Sequence, residues 1–250
     1  MGPGVRPDRG APAARGVLLC RQEFEGVGHH VERGQHAASL GRRLAVDHRG
    51  VGRPGQSPVD LANAENADVA DLVVDYKAAP LVIVNNGHAI QVDCANGSSI
   101  TVGEERYDLQ QFHFHGPSEH TVNGKYAPME AHFVHKNSLG QLAVIGVLIE
   151  EGPEHTELTE IWNEMPKSKG PARTVASVQV DPAALLPKDR ISFRYSGSLT
   201  TPPCFEDVRW IVMQAPIRVS KEQVTAFRKV IGRNNRPVQP LHGRTERLGR

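Results

Sequence analysis

One short segment of this chain alternates so strictly that a single backbone conformation suits it best. In Gln111-Phe112-His113-Phe114-His115, polar and aromatic side chains take turns. That is the period of a β-strand, which sends Gln111, His113 and His115 to one face and both phenylalanines to the other. In Glu130-Ala131-His132-Phe133-Val134-His135 the same rule puts Glu130, His132 and Val134 on one face. Same-face neighbours on a strand are about 7 Å apart, near enough for two imidazoles to converge on one ion. If the two strands are neighbours, His132 supplies a third.

Three neutral imidazoles with no fourth protein ligand describe a catalytic zinc site, because structural sites are closed by four ligands and usually include thiolates. Gln111 and Glu130 each lie two residues from a histidine on the same face, where they can hydrogen-bond the remaining ring nitrogen and fix its tautomer. A lone histidine on a strand is more often a satisfied or exposed side chain than a ligand. The third histidine, with its flanking glutamate, tips the balance toward metal. Other zinc motifs fail on spacing. His115, Glu119 and His120 form H-x-x-x-E-H, one residue too long for the inverted zinc-protease motif, and Gly116-Pro117 would break the helix it requires. No H-E-x-x-H occurs, and Cys94 and Cys204 lack a C-x-x-C partner.

From Gln56-Ser57-Pro58-Val59-Asp60 onward, short apolar runs are separated by turn residues. Leu81–Val84, Asn85-Asn86-Gly87, Ala89–Val92 and Ala95–Ser98 read as strand, turn, strand, turn. Leu109–His115, Ala131–His135, Leu142–Ile149, Ile191–Tyr195 and Val208–Met213 continue the series, which predicts antiparallel pairing. Two helices interrupt it: one over Glu157–Asn163, closed by Pro166, and one opened by the capping-box pattern Ser220-Lys221-Glu222-Gln223 and stopped by Gly232. The predicted fold class is α+β and sheet-dominated, a single domain with a large twisted, mainly antiparallel sheet and short peripheral helices. With 250 residues, 39% hydrophobic and 23% charged, one large domain is the natural size.

Charge excludes some partners. Lysine plus arginine, 29, nearly cancels aspartate plus glutamate, 28, so no net field drives binding to nucleic acid or to an anionic membrane. A small-molecule site is the better expectation. The stretch Gly16–Cys20 is too short for the core of a signal peptide.

The histidine strands, together with Ser118-Glu119-His120, Ser198-Leu199-Thr200-Thr201-Pro202-Pro203, Gln56–Asp60, Asn85–His88 and Asn234–Leu241, resemble the alpha-class carbonic anhydrases. The resemblance runs in order from about residue 56 to residue 244, and the short link from His115 to Ser118 is similar to bacterial members. It implies a zinc enzyme in which His113, His115 and His132 hold the ion and zinc-bound hydroxide attacks carbon dioxide to give bicarbonate and a proton. It further implies that Thr200 orients the nucleophile and passes its own proton to Glu119. Val134, Val144, Leu199 and Trp210 would form the apolar pocket, with Thr201 beside it. His88 would be the proton shuttle, Asn86 and Gln91 would hold a water chain, and His120 and His135 would be buried structural residues. Expected partners are carbon dioxide and bicarbonate, inhibitors of the sulfonamide and anion types, and a second copy in a homodimer. Family resemblance points to the periplasm or to secretion, although no signal peptide is read here.

The first 56 residues depart from that pattern. They hold 11 of the 24 glycines and nine arginines but no lysine, tryptophan or tyrosine, and Gly50 stands where relatives tend to have a cysteine. Residues 1–55 are therefore expected to be a divergent or disordered segment, or the product of a shifted reading frame, and 56–250 the catalytic domain. The alternative function is a catalytically impaired or silent binding protein of the same fold. Such modules lose the zinc histidines, whereas this chain retains all three with Glu119 and Thr200.

Overall fold

The computed structural model describes residues 54–250. The expected divergent segment, with Cys20, His29, His30, His36 and His48, therefore lies almost wholly outside the described residues. In chain order the strands are β1 (Glu65–Asn66), β2 (Leu72–Asp75), β3 (Ala79–Asn85), β4 (Ile90–Asp93), β5 (Ser99–Val102), β6 (Glu105–His115), β7 (Thr121–Val122), β8 (Lys125–Tyr126), β9 (Met129–Lys136), β10 (Leu142–Glu151), β11 (Arg173–Val180), β12 (Ser192–Ser198), β13 (Glu206–Val219) and β14 (Arg247–Gly249). The helices are α1 (Thr156–Asn163), α2 (Lys221–Ile231) and a 3-10 turn at Pro182–Leu185.

Twelve strands form one sheet, whose main path runs β1-β14-β12-β13-β10-β9-β6-β4-β3-β11, with β5 joining β2 to β6. Every strand predicted from alternation is present. The pairing is antiparallel throughout that sheet except for β1 with β14 and, at its centre, β10 with β13. That central parallel pair was not anticipated. Alternation reports which face a residue takes, not which strand lies beside it, and a parallel pair needs a long crossover. Here the crossover carries α1, β11 and β12. Strands β2, β5 and β11 were also missed. The exposed pattern of β11 reflects its place at the sheet edge, where it pairs with β3 alone.

The two faces of the sheet hold different cores. On one, Phe112, Phe114 and Phe133 are fully buried with Ile145 and Ile211. Phe114 meets Trp162 of α1 edge-on at 4.8 Å, and Trp162 stacks on Phe227 of α2 at 5.7 Å. Each such side chain contributes about 2 to 3 kcal/mol of burial, which fixes both helices beneath the histidine-bearing strands. Helix α2 starts at the predicted capping box, in which the Gln223 amide donates to Ser220 Oγ and the Ser220 amide donates to Gln223 Oε1. It ends at Gly232, with φ 76°. On the opposite face Val59, Leu61, Val144, Tyr195, Val208 and Trp210 form a second cluster. The histidines open on that side. Among the described residues no helix is long and apolar enough to cross a membrane.

Candidate active site

Strands β6 and β9 are antiparallel neighbours, and their register sets His113 directly opposite His132, His115 opposite Glu130, and Gln111 opposite Val134. Opposed residues share a face, so the two strands bring their histidines together. Ring centroids are separated by 5.0 Å for His113 and His115, 5.4 Å for His113 and His132, and 4.5 Å for His115 and His132. One nitrogen from each ring lies within 4.8 Å of the other two, a group that could hold a metal ion.

Hydrogen bonds settle which nitrogen each ring presents. Gln111 Oε1 lies 2.9 Å from His113 Nδ1, which leaves Nε2. His115 Nδ1 donates to the backbone carbonyl of Asn234 at 3.3 Å, and His115 Nε2 is buried with no partner among the described residues. His132 Nε2 donates to Glu130 Oε1 at 2.9 Å, which leaves Nδ1. A buried imidazole nitrogen with no partner is costly unless something occupies it, and a cation with three open nitrogens around it fits.

A second group, His120, Glu130 and His132, is equally close-set, but both ring nitrogens of His120 are already engaged. Nδ1 is 2.7 Å from Glu130 Oε1, and Nε2 is 2.7 Å from the Tyr195 hydroxyl, which is bonded in turn to Ser57. His120 and His135 are both fully buried, as expected.

Glu130 is the busiest acceptor here. Beyond the two imidazoles on Oε1, its Oε2 takes the amides of Glu119 and His120 at 2.8 and 2.9 Å. Burial alone would raise its pKa, but the imidazoles of His120 and His132 hold it well below the usual carboxylate range. Room for this carboxylate is made by Gly146, which pairs with His132 across β9 and β10. A Cβ at that position would stand 3.0 Å from Glu130 Oε1. Burial pushes His113 well below its ordinary pKa, helped by the neighbouring His115 and His132, and burial likewise lowers His115. Burial would lower His132 too, but Glu130 beside it raises its pKa above the ordinary value, so a metal would have to displace that proton.

Beside the cluster lies a cavity of about 180 Å³. Its lining includes Gln111, His113, His132, Val134, Val144, Leu199, Thr200, Thr201 and Trp210, all singled out in the sequence, and Leu142, which was not. Leu142 was read only as the start of a strand; it pairs with Val208 on β13 and joins the lining.

Glu119 is buried, and its Oε1 accepts from the Arg236 amide at 2.7 Å. Its Oε2 lies 3.8 Å from His132 Nδ1 and has no hydrogen-bond partner among the described residues, so the bond expected from Thr200 is absent. His88 is exposed on the turn between β3 and β4. Asn86 shapes that turn, its Oδ1 accepting from the amides of His88 and Ala89, while its Nδ2 donates to Gln91 Oε1 at 3.3 Å. Gln91 is paired with His113 across β4 and β6. Gly87 has φ 88°, a backbone angle that disfavours any side chain, and the aliphatic stem of Lys169 covers it. Asn234 and the Tyr195–Ser57 pair were not assigned from sequence; a backbone carbonyl acting on a histidine leaves no sequence signal.

Fold and site together define a sheet protein with a three-histidine, metal-competent cluster at an apolar cavity. The family model described as eukaryotic-type carbonic anhydrase matches residues 47–247. A carbonic anhydrase of Klebsiella pneumoniae is 43% identical over 231 residues, covering 91% of each chain. One of Pectobacterium carotovorum is 42% identical over 193 residues, covering 76% of this chain and 78% of its own. Among solved structures, the alpha-carbonic anhydrase of Thermovibrio ammonificans, in complex with the inhibitor sulfanilamide, superposes with a TM-score of 0.75 at 48% identity, covering 77% of this chain and 86% of its own. The chain belongs to the alpha, or eukaryotic-type, carbonic anhydrase family, whose members are carbonate dehydratases.

Proposed function

We propose that residues 56–250 form a zinc-dependent catalytic domain that interconverts carbon dioxide and water with bicarbonate and a proton. The carrying observation is the convergence of His113, His115 and His132, each with its other ring nitrogen held by Gln111, Asn234 or Glu130. A zinc ion on these nitrogens supplies a Lewis acid that makes water nucleophilic near neutral pH, chemistry for which carbonic anhydrases are themselves the reference case.

The remaining roles belong to the chain. The three hydrogen-bond partners fix ring orientation before metal arrives, so that little reorganisation is needed. Val134, Val144, Leu199 and Trp210, with Leu142 and Thr201 in the same lining, give apolar carbon dioxide a place beside the cluster. The Thr200 hydroxyl, directed by Glu119 Oε2, aligns the nucleophile with the substrate carbon. His88 carries the released proton to solvent, with Asn86 and Gln91 between it and His113. The sulfanilamide bound to the Thermovibrio relative supports inhibition by sulfonamides here as well. A silent binding module is disfavoured because all three histidines, Glu119 and Thr200 are retained.

The test is His132→Ala in the full chain. It should lose zinc on dialysis and carbon dioxide hydration together; a variant that keeps both overturns the assignment.

A further inference from the structure

Asn234 spends every polar group it has on one junction. Its Nδ2 donates to the carbonyl of His88 at 2.9 Å and to that of Phe114 at 3.0 Å, while its Oδ1 accepts from the Gly116 amide at 2.8 Å. Its backbone carbonyl takes His115 Nδ1, and its backbone amide donates to the Gly116 carbonyl at 3.4 Å. One residue thus touches both the turn of His88 and the end of the strand that carries His115.

Asn85, at the head of that turn, is held by the 166–170 segment, its Nδ2 donating to the Pro166 carbonyl at 3.1 Å and its carbonyl accepting from the Gly170 amide at 3.0 Å; beyond it the hydrogen bonds are local. The amides of His88 and Ala89 close on Asn86 Oδ1, the Gly87 amide on Asn85 Oδ1, the Asn86 amide on the Ala89 carbonyl, and Asn86 Nδ2 on Gln91. All of these stay within the β3–β4 hairpin. Among the described residues, the bond from Asn234 is the one hydrogen bond that ties residues 86–89 to another part of the chain, beside the packing of the Lys169 stem on Gly87.

We propose that the Asn234 side chain is a positioning residue for proton transfer: it holds the His88 turn at a set displacement from His115. This rests on the reading that His115 holds the metal and His88 carries the proton. Transfer along a water chain depends steeply on a fixed donor–acceptor geometry, and a loosely held turn would spread His88 over many positions. The position needs two donors and one acceptor on a short planar group, which asparagine provides; aspartate offers no donor and serine only one.

The test is a double-mutant cycle in the full-length, zinc-loaded protein. Asn234→Ala should lower kcat in weak buffer about fivefold, the ratio that a single neutral hydrogen bond is worth, with a smaller fall in kcat/KM. Added imidazole should restore kcat. In a His88→Ala background the same substitution should cause no further loss of kcat. Equal losses with and without His88, or kcat/KM falling in step with kcat, would overturn the proposal. Asn234→Asp, which keeps the acceptor for Gly116, bears the same comparison if the alanine variant does not fold.

Hydrogen exchange on metal-free protein gives a readout independent of activity. Both variants should speed exchange across residues 85–91 and leave residues 142–149 unchanged; an unaltered turn contradicts the anchoring. If zinc-loaded wild type hydrates no carbon dioxide, the parent reading fails, while the exchange result still decides whether Asn234 anchors the turn.

Discussion

Glu130 Oε1 lies 2.9 Å from His132 Nε2, two residues along the same strand, and the carboxylate is fully buried. Its other contacts are His120 and two backbone amides, which leaves it placed to orient the ring. Glu130→Gln should raise the zinc dissociation rate about tenfold or more while leaving the three histidines in place. Chelator-competition kinetics read this directly. An unchanged off-rate would mean that strand register alone aligns His132.

His135 gives the fold a defined weakness in acid. Its Nε2 accepts from the Tyr76 hydroxyl at 2.7 Å and its Nδ1 donates to the Ala143 carbonyl at 3.2 Å, a pattern that needs the neutral ring. Burial, only partly offset by the Ala143 carbonyl, lowers its pKa from 6.5 to about 3. The unfolded chain therefore binds the proton first as pH falls. Stability is intact above 6.5 and declines toward pH 3, by up to about 1.4 kcal/mol per pH unit from this group. Urea midpoints measured between pH 7 and pH 4 should fall less steeply for His135→Gln than for wild type. Parallel acid limbs would show that His135 is not a source of the linkage.

Glu246 is a carboxyl placed where an apolar side chain would serve. It is 2% exposed, and the Asn63 backbone amide is the polar group nearest to offsetting its burial. Burial raises its pKa, assisted by the Asp60 carboxylate and opposed by His120 and Arg244. The folded state thus prefers the neutral acid, and stability is lost as pH rises from 4.5 through the raised value. Glu246→Leu should stabilise the protein by about 1 to 3 kcal/mol at pH 8, with a smaller gain at pH 4. Thermal unfolding at the two pH values checks both size and trend.

The histidine strands were legible because a period of two assigns every side chain to a face, and a metal site needs its ligands on one face. That rule places Gln111, His113 and His115 on one face of their strand and Glu130 and His132 on one face of theirs; the pairing of the two strands does not follow from it. Neighbour relations were not legible. Nothing in the alternation of Leu142–Glu151 or Glu206–Val219 says that these strands run parallel at the centre of the sheet, where Val144 pairs with Trp210 in the pocket wall. Contacts made by backbone atoms were equally hidden. The Asn234 carbonyl on His115 and the space left by Gly146 for Glu130 depend on where the chain passes, not on residue chemistry. The hydrogen bond expected between Thr200 and Glu119 was a matter of family likeness, and the structure leaves Glu119 Oε2 buried without it.

The central claim is that the three-histidine cluster, with zinc, hydrates carbon dioxide. Stopped-flow hydration by the full-length protein, before and after chelation and zinc return, tests it most directly. Hydration should be fast, abolished by chelator, restored by zinc and blocked by sulfanilamide. A folded, zinc-loaded protein that hydrates carbon dioxide no faster than buffer would contradict it.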